Sequence, residues 1–444
     1  MQLKGQNIIV LGGGESGVGA ALLAHQQGAK VFLSDRGKMK KAYQDELNDA
    51  GIEFEEGLHT LERILTADEV IKSPGIPDGV PLLKTLSTNE IPVIGEIEFA
   101  SRFTTAKVLA ITGSNGKTTT AYLIHHLLIN AGIKASLVGN VGFGFARSLA
   151  QDEPADMYVM ELSSFQLDSI KNFRPHLATV LNITADHLDR YDYKIDLYAD
   201  SKLRIAMNQQ ETDHFWYLKE DTETQKALQR TVLKATMHSI SKGDIKGSKI
   251  LVDGEWINLA QTQLRGKHNA LNALFACQML RNLGIETAIL QKGLESFQSV
   301  PHRLESVAVI DGVEYINDSK ATNVDAVTYA LDAMTKEIIW IVGGIDKGND
   351  YSGLIELVKT KVKAMICLGT DNTKLKAAFG EIINDITETD NMAQAIALAK
   401  AKATNGQVVL LSPACSSFDL FDNYAARGDQ FRTHSRGLTP LNKD

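Results

Sequence analysis

Eight consecutive residues combine the groups that hold a polyphosphate: Gly113-Ser114-Asn115-Gly116-Lys117-Thr118-Thr119-Thr120. They follow an apolar run at 108–112 and precede a helical stretch over about 121–131. Strand, glycine loop and helix N-terminus, in that order, form a phosphate cradle. Backbone N–H groups there would face phosphate oxygens, Lys117 would add a point charge, and the Thr118 hydroxyl would suit Mg2+. An ordinary motor or GTPase loop would also need glycine at position 111, and this chain has Ile111, so that pattern is broken. A second glycine block, Gly12-Gly13-Gly14-Glu15-Ser16-Gly17, closes the first strand-like run, and Asp35 ends the next. Such glycines let a backbone approach a diphosphate, whether it belongs to NAD or to a UDP-sugar, and the motif does not choose between them or a turn with no ligand.

Further chemistry-bearing side chains follow other strand-like runs: Glu161 in 159–167, Asp186 and His187 in 181–190, Asp318 and Lys320 in 316–323, Lys347 in 343–348, and Ser417 with Phe418 in 412–419, while Arg303 in 301–305 lies at the second domain boundary. Ends of strands are where α/β sheets bind ligands. A single Glu or His in such a place is as often a cap or a satisfied polar group as a ligand. Lys202, within a helical stretch, reads from its own surroundings as a solvated lysine.

The elements that must position these residues alternate from end to end. Strand-like runs occur at 7–11, 30–34 and 70–73, then at 108–112, 158–161 and 178–182. A third series follows at 307–310, 313–317, 338–342, 364–368 and 408–412. Alternation with helical stretches predicts α/β sheets. The three series predict a Rossmann-like N-terminal domain over 1–101, a central P-loop ATPase-type α/β domain over 102–301, and a C-terminal Rossmann-like α/β domain over 302–444. With 44% hydrophobic and 23% charged residues in 444, the chain has the composition of a packed protein. Its net charge of −8 offers no broad footprint for nucleic acid or an anionic membrane, so anionic substrates must meet a few placed cations, metals or helix N-termini. No apolar run approaches the roughly 20 residues that span a bilayer, and the first residues enter a strand without a secretory h-region; a cytoplasmic protein is expected. Cys277, Cys367 and Cys415 match neither a zinc nor a disulfide pattern and are expected as reduced thiols in cores.

The segment Thr112 to Thr120 resembles the ATP loop of the Mur ligase family, which also includes the folylpolyglutamate synthetases, and the resemblance extends over essentially the whole chain. It implies ATP contacts from Gly113, Asn115, Gly116, Lys117, Thr118 and Thr119, adenine contact from Asn272, and nucleotide contacts from Arg303 and Asp318. It further implies two Mg2+ ions held by Thr118, Glu161 and His187, with Lys202 carbamylated into an anionic ligand, and Lys320 stabilising an acyl phosphate, with Asn323 orienting neighbouring groups. His187 with Asp186 is also a candidate base. Thr322, Lys347, Ser417, Phe418 and Tyr424 resemble the D-glutamate pocket of the family's D-glutamate-adding members. Gly14, Ser16, Asp35, Arg36, Ser73, Gly75 and Asn140 resemble those members' UDP-muramoyl contacts. The implied activity is ATP-driven joining of D-glutamate to UDP-N-acetylmuramoyl-L-alanine through an acyl phosphate, by a monomer with no nucleic-acid or membrane partner. On the residues alone, an NAD-dependent dehydrogenase and a nucleotide-gated binding protein stay open.

Overall fold

The computed structural model describes residues 2–151, 154–298 and 300–438. The first sheet contains β1 (Asn7–Leu11), β2 (Lys30–Asp35), β3 (Glu53–Glu56), β4 (Glu69–Lys72) and β5 (Val93–Gly95), ordered β3-β2-β1-β4-β5 and parallel throughout. The chain builds outward from β1 through β2 to β3, then returns to the other side of β1 with β4. Strand order therefore reverses between β1 and β4, the crevice where such sheets take ligands.

The second sheet holds β6 (Lys107–Thr112), β7 (Ala135–Gly139), β8 (Met157–Glu161), β9 (Leu177–Val180), β10 (His214–Leu218) and β11 (Thr236–Ile240) in the order β11-β10-β9-β6-β8-β7, again parallel. A small sheet of β12 (Ile245–Lys246), β13 (Lys249–Val252) and β14 (Glu255–Asn258) follows. The last sheet contains β15 (Glu305–Ile310), β16 (Val313–Asn317), β17 (Ile338–Val342), β18 (Val362–Leu368), β19 (Ile386–Thr389) and β20 (Val408–Leu411), ordered β15-β16-β20-β17-β18-β19. Only its β15–β16 pair is antiparallel. Central strands such as Ile338–Val342 are buried at every residue, as parallel strands covered on both faces must be.

The chain divides into two compact units, one of Met1–Lys246, Ile250–Ile257 and Asn272–Leu294, the other of Gly247–Lys249, Asn258–Leu271 and Glu295–Asp444. The first two sheets share a unit. One apolar core runs from Ile8 and Val10 through Ile97 and Phe99 to Val108 and Phe145. Glu98 ties the sheets further: its carboxylate accepts the N–H groups of Lys171, Asn172 and Phe173, each at 2.9 Å. Glu96, two residues earlier, accepts the N–H of Ala146 at 2.5 Å. The three cysteines are free and buried. Among the described residues no helix is long and apolar enough to cross a membrane.

Candidate active site

Three adjacent strands, β8, β6 and β9, end beside one another, so the segments that follow them share one edge of the sheet. After β6 the chain turns at Gly113 (φ +148°) and Gly116 (φ +86°), conformations that favour glycine. Gly116 caps the helix Lys117–Asn130, which starts four residues earlier than its sequence suggests and brings the N–H groups of its first turn into the cradle. A Cβ on Gly116 would run into Oδ1 of Asn272, so the residue assigned to adenine lies against the phosphate loop. Asn182, after β9, accepts the N–H of Asn115 at 2.9 Å and donates to its carbonyl at 3.0 Å. Ser114 donates to the Thr184 carbonyl at 3.0 Å and accepts the Thr184 N–H at 2.9 Å.

Two lysines converge on this loop. Lys117 Nζ donates to the carbonyls of Gly113 and Ser114, both at 2.8 Å, and Lys202 Nζ donates to Gly113 at 2.9 Å. Lys202 is not the solvated helix lysine of its local sequence: it is 1% exposed, and its ammonium lies over the Tyr198 ring, 4.4 Å from the centroid. Burial, joined by the Lys117 charge, pushes its pKa well down, against the pull of Asp186, Glu161 and Asp168. The amine is thereby biased towards its neutral, nucleophilic form. Glu161 closes β8 and is buried; Oε1 accepts from Asn140 Nδ2 at 2.8 Å, while Oε2 is buried with no hydrogen-bond partner. An orphaned carboxylate oxygen is costly unless a cation or donor meets it. His187 adopts φ +52°, stacks edge-on against Phe165 with centroids 5.3 Å apart, and has Nε2 3.7 Å from Asp186 Oδ2. Among the described residues no three His, Cys, Asp or Glu side chains form a metal cluster. A divalent ion here would draw on the Glu161 oxygen, the Thr118 hydroxyl and phosphate oxygens, a hard-oxygen set that fits Mg2+.

In the first sheet, Asp35 braces the glycine block, accepting the N–H of Gly13 at 2.5 Å through Oδ2 and that of Gly37 at 2.6 Å through Oδ1. Arg36 is exposed, and Gly14 and Ser16 are half-buried or exposed. A Cβ on Gly12 would collide with Ser73 Oγ, so the glycine block and the segment carrying Ser73 and Gly75 meet at the β1/β4 crevice.

The last sheet gathers the segments after β16, β20 and β17, again adjacent strands. Asp318 accepts the Leu304 N–H at 3.2 Å and the Ser412 hydroxyl at 2.9 Å. Burial pushes its carboxyl up to about 7, while those bonds and the Arg303 charge pull it back. Lys320 Nζ lies 3.9 Å from the Tyr424 ring centroid. The segments after β17 and β20 are joined by reciprocal bonds between Ile345 and Ser416; Gly344 there has no room for a Cβ against the Ser416 carbonyl. Thr322 is half-buried, Ser417 buried, and Lys347 and Phe418 exposed. Asn323 caps the helix Val324–Ala333, accepting the Ala326 N–H at 2.8 Å; that oxygen is committed to the helix. Two functional candidates escaped the sequence reading. Asn182 lies in the 181–190 segment, where an amide after a strand carries no signal of its own. Arg427, 1% exposed, donates to Ser319 Oγ, the Ser319 carbonyl and the Cys415 carbonyl at 3.0–3.2 Å, and to the Gly343 carbonyl at 3.3 Å. The signal was Gly428, a glycine inside a helix, which marks close packing; here a Cβ would strike the His302 ring.

A glycine cradle on a parallel sheet, with the half-buried Lys117 and the buried Lys202 against it, defines a nucleotide-type phosphate site on an α/β framework. Models of the Mur ligase middle domain, the Mur ligase glutamate ligase domain and the MurD N-terminal domain match residues 111–280, 302–415 and 7–80. A protein of Christiangramia forsetii named UDP-N-acetylmuramoylalanine--D-glutamate ligase is 47% identical over 98% of this chain and 100% of its own length. A Porphyromonas gingivalis protein of the same name is 46% identical over 96% of this chain and 97% of its own. Among solved structures, UDP-N-acetylmuramate-alanine ligase from Thermotoga maritima aligns with a TM-score of 0.63 at 18% identity, covering 97% of this chain and 99% of that one, and so shares the fold. The chain belongs to the Mur ligase family.

Proposed function

We infer that this chain is an ATP-dependent amide ligase that adds D-glutamate to UDP-N-acetylmuramoyl-L-alanine in peptidoglycan precursor synthesis. The observation that carries the chemistry is the buried, orphaned Glu161 oxygen on the strand next to the Gly113–Lys117 cradle. In this reading residues 1–101 take the UDP-sugar through Gly14, Ser16, Asp35, Arg36, Ser73 and Gly75, joined by Asn140 from the central domain. Residues 102–301 take ATP through the cradle and Asn272. Residues 302–444 take D-glutamate through Thr322, Lys347, Ser417, Phe418 and Tyr424. The enzyme acts as a monomer in the cytoplasm.

The L-alanyl carboxylate attacks the γ-phosphorus, ADP leaves, and the amine of D-glutamate then attacks the acyl carbon and displaces phosphate. Lys117, Lys320 and Arg303 meet the charge that develops on phosphate oxygens, with Asp318 binding the nucleotide. Thr118, Glu161, His187 and a carbamylated Lys202 would hold two Mg2+ ions, which would spread the charge of the transferring group. The neutral bias of the Lys202 amine supports its carbamylation. Metal ligation by His187 competes with its use as base for the amine proton, and a pH–rate profile separates the two. The test is phosphate release from the full chain with ATP and Mg2+, with the product identified by mass. Release must require both UDP-N-acetylmuramoyl-L-alanine and D-glutamate, and L-glutamate must fail; turnover with L-glutamate, or with a different UDP-muramoyl acceptor only, overturns the reading.

A further inference from the structure

The β1/β4 crevice contains a charged residue to which no role has been given. Lys72 is the last residue of β4 and is 5% exposed. Its ammonium turns back under the segment that follows, donating to the Ile76 carbonyl at 3.1 Å and pairing with Asp78 Oδ1 at 3.0 Å. The intervening residues make their own turn, with the Ser73 N–H bonded to the Leu11 carbonyl at 2.9 Å and the Ile76 N–H to the Ser73 carbonyl at 3.1 Å. One end of the turn is therefore fastened to β1 and its far end to Lys72. Beneath it lies a small cavity of ≈10 Å3, lined by Lys72, Pro74, Glu96, Gln166 and Ser169 among others, with room for about one water. Ser169 Oγ is buried with no hydrogen-bond partner.

A buried ammonium is costly and persists where its partners hold it. A lysine placed at a strand end only for solubility would extend into water; this one spends its charge on two residues of a single turn. That turn stands at the point where strand order reverses, against the glycine block. We propose that Lys72 is a positioning residue for the sugar-nucleotide substrate: its bonds to Ile76 and Asp78 fix residues 73–78 in the form that receives the UDP-muramoyl group. The proposal rests on the reading above that Ser73 and Gly75 contact that substrate.

The experiment measures Lys72→Met, Lys72→Arg and Asp78→Asn in the full-length enzyme, by steady-state kinetics and by titration calorimetry with UDP-N-acetylmuramoyl-L-alanine. Lys72→Met raises the Kd and KM for this substrate about 10-fold or more, the scale on which losing the support of a binding group acts. The kcat at saturation and the KM values for ATP and D-glutamate stay within about twofold, since their contacts are elsewhere. Lys72→Arg recovers part of the loss. Asp78→Asn, at a side chain that is 70% exposed, weakens the same Kd about threefold without changing the melting temperature, which keeps the test decisive if Lys72→Met does not fold. Unchanged Kd values in the soluble variants, or a loss spread equally over all three substrates, overturn the proposal. Ser73→Ala and Gly75→Ala separate the two levels: if neither alters the Kd for the UDP-substrate, the reading of this crevice fails; if they do and the Lys72 and Asp78 variants do not, only the role of Lys72 fails.

Discussion

Glu96 makes a quantitative claim about how the first two sheets are held together. It opens the helix Glu96–Ala100, is 4% exposed, and accepts the Ala146 N–H at the start of a helix that belongs to the second sheet. Burial pushes its carboxyl from 4.5 to about 7; the Ala146 and Phe145 N–H groups pull it down and the Glu15 charge pushes it further up. The folded protein thus binds this proton more tightly than the unfolded chain does. The resulting stability is complete below about 4.5 and is lost as pH rises through about 7. At roughly 1.4 kcal/mol per tenfold in proton affinity, the displacement amounts to about 3 kcal/mol. Glu96→Gln retains an acceptor for the Ala146 N–H and removes the buried anion. The variant should exceed the parent by less than about 1 kcal/mol near pH 5 and by about 3 kcal/mol at pH 8, measured by urea unfolding at 25 °C across that range. Glu98 has the opposite sign: burial alone would raise it, but four donated hydrogen bonds hold it below its ordinary value, so its contribution is lost as pH falls below 4.5 and leaves the chosen window clear. If the two unfolding curves run parallel from pH 5 to 8, or the variant is the weaker protein at pH 8, the reasoning about a buried, proton-binding Glu96 is wrong.

Three further outcomes follow from the site geometry. Gly116→Ala meets both a φ of +86° and the Asn272 amide, a backbone cost of about 1–2 kcal/mol before the amide moves; calorimetry should show ATP binding weakened at least about 10-fold, with UDP-sugar binding retained. Lys202→Met should lower kcat by about 100-fold or more, and the parent enzyme should lose activity in bicarbonate-free buffer and regain it with bicarbonate, with a carbamate resonance in 13C NMR; full activity without bicarbonate sinks the carbamylation. Arg427→Met removes the donors that join the Ser319, Gly343 and Cys415 segments and leaves buried carbonyls unpaired; the KM for D-glutamate should rise about 10-fold while the Kd for ATP is unchanged.

What could be read in the sequence, and what could not, follows from how far apart in the chain the partners lie. Runs such as Asn7–Leu11 and Ile338–Val342 declare themselves because a strand covered on both faces needs apolar side chains at every position. The outer strands Glu53–Glu56, Val93–Gly95 and Ile386–Thr389 escaped because they are short or polar, and the helix at Lys117 was placed late because its first turn is three threonines, poor helix formers that are there for the cradle. The glycine cradle was legible since its groups are consecutive. Burial of a cation is different in kind: Lys202 is held by a carbonyl 89 residues away, and Arg427 by carbonyls 108, 84 and 12 residues away, so no local periodicity distinguishes either from a solvated helix residue. The same holds for Glu98, which meets its partners 73 to 75 residues later. A charge whose cost of burial is offset only by distant backbone is invisible to pattern, and the resemblance to a family, which carries the result of that long-range pairing, was what singled out Lys202 and left Arg427 and Lys72 unmarked.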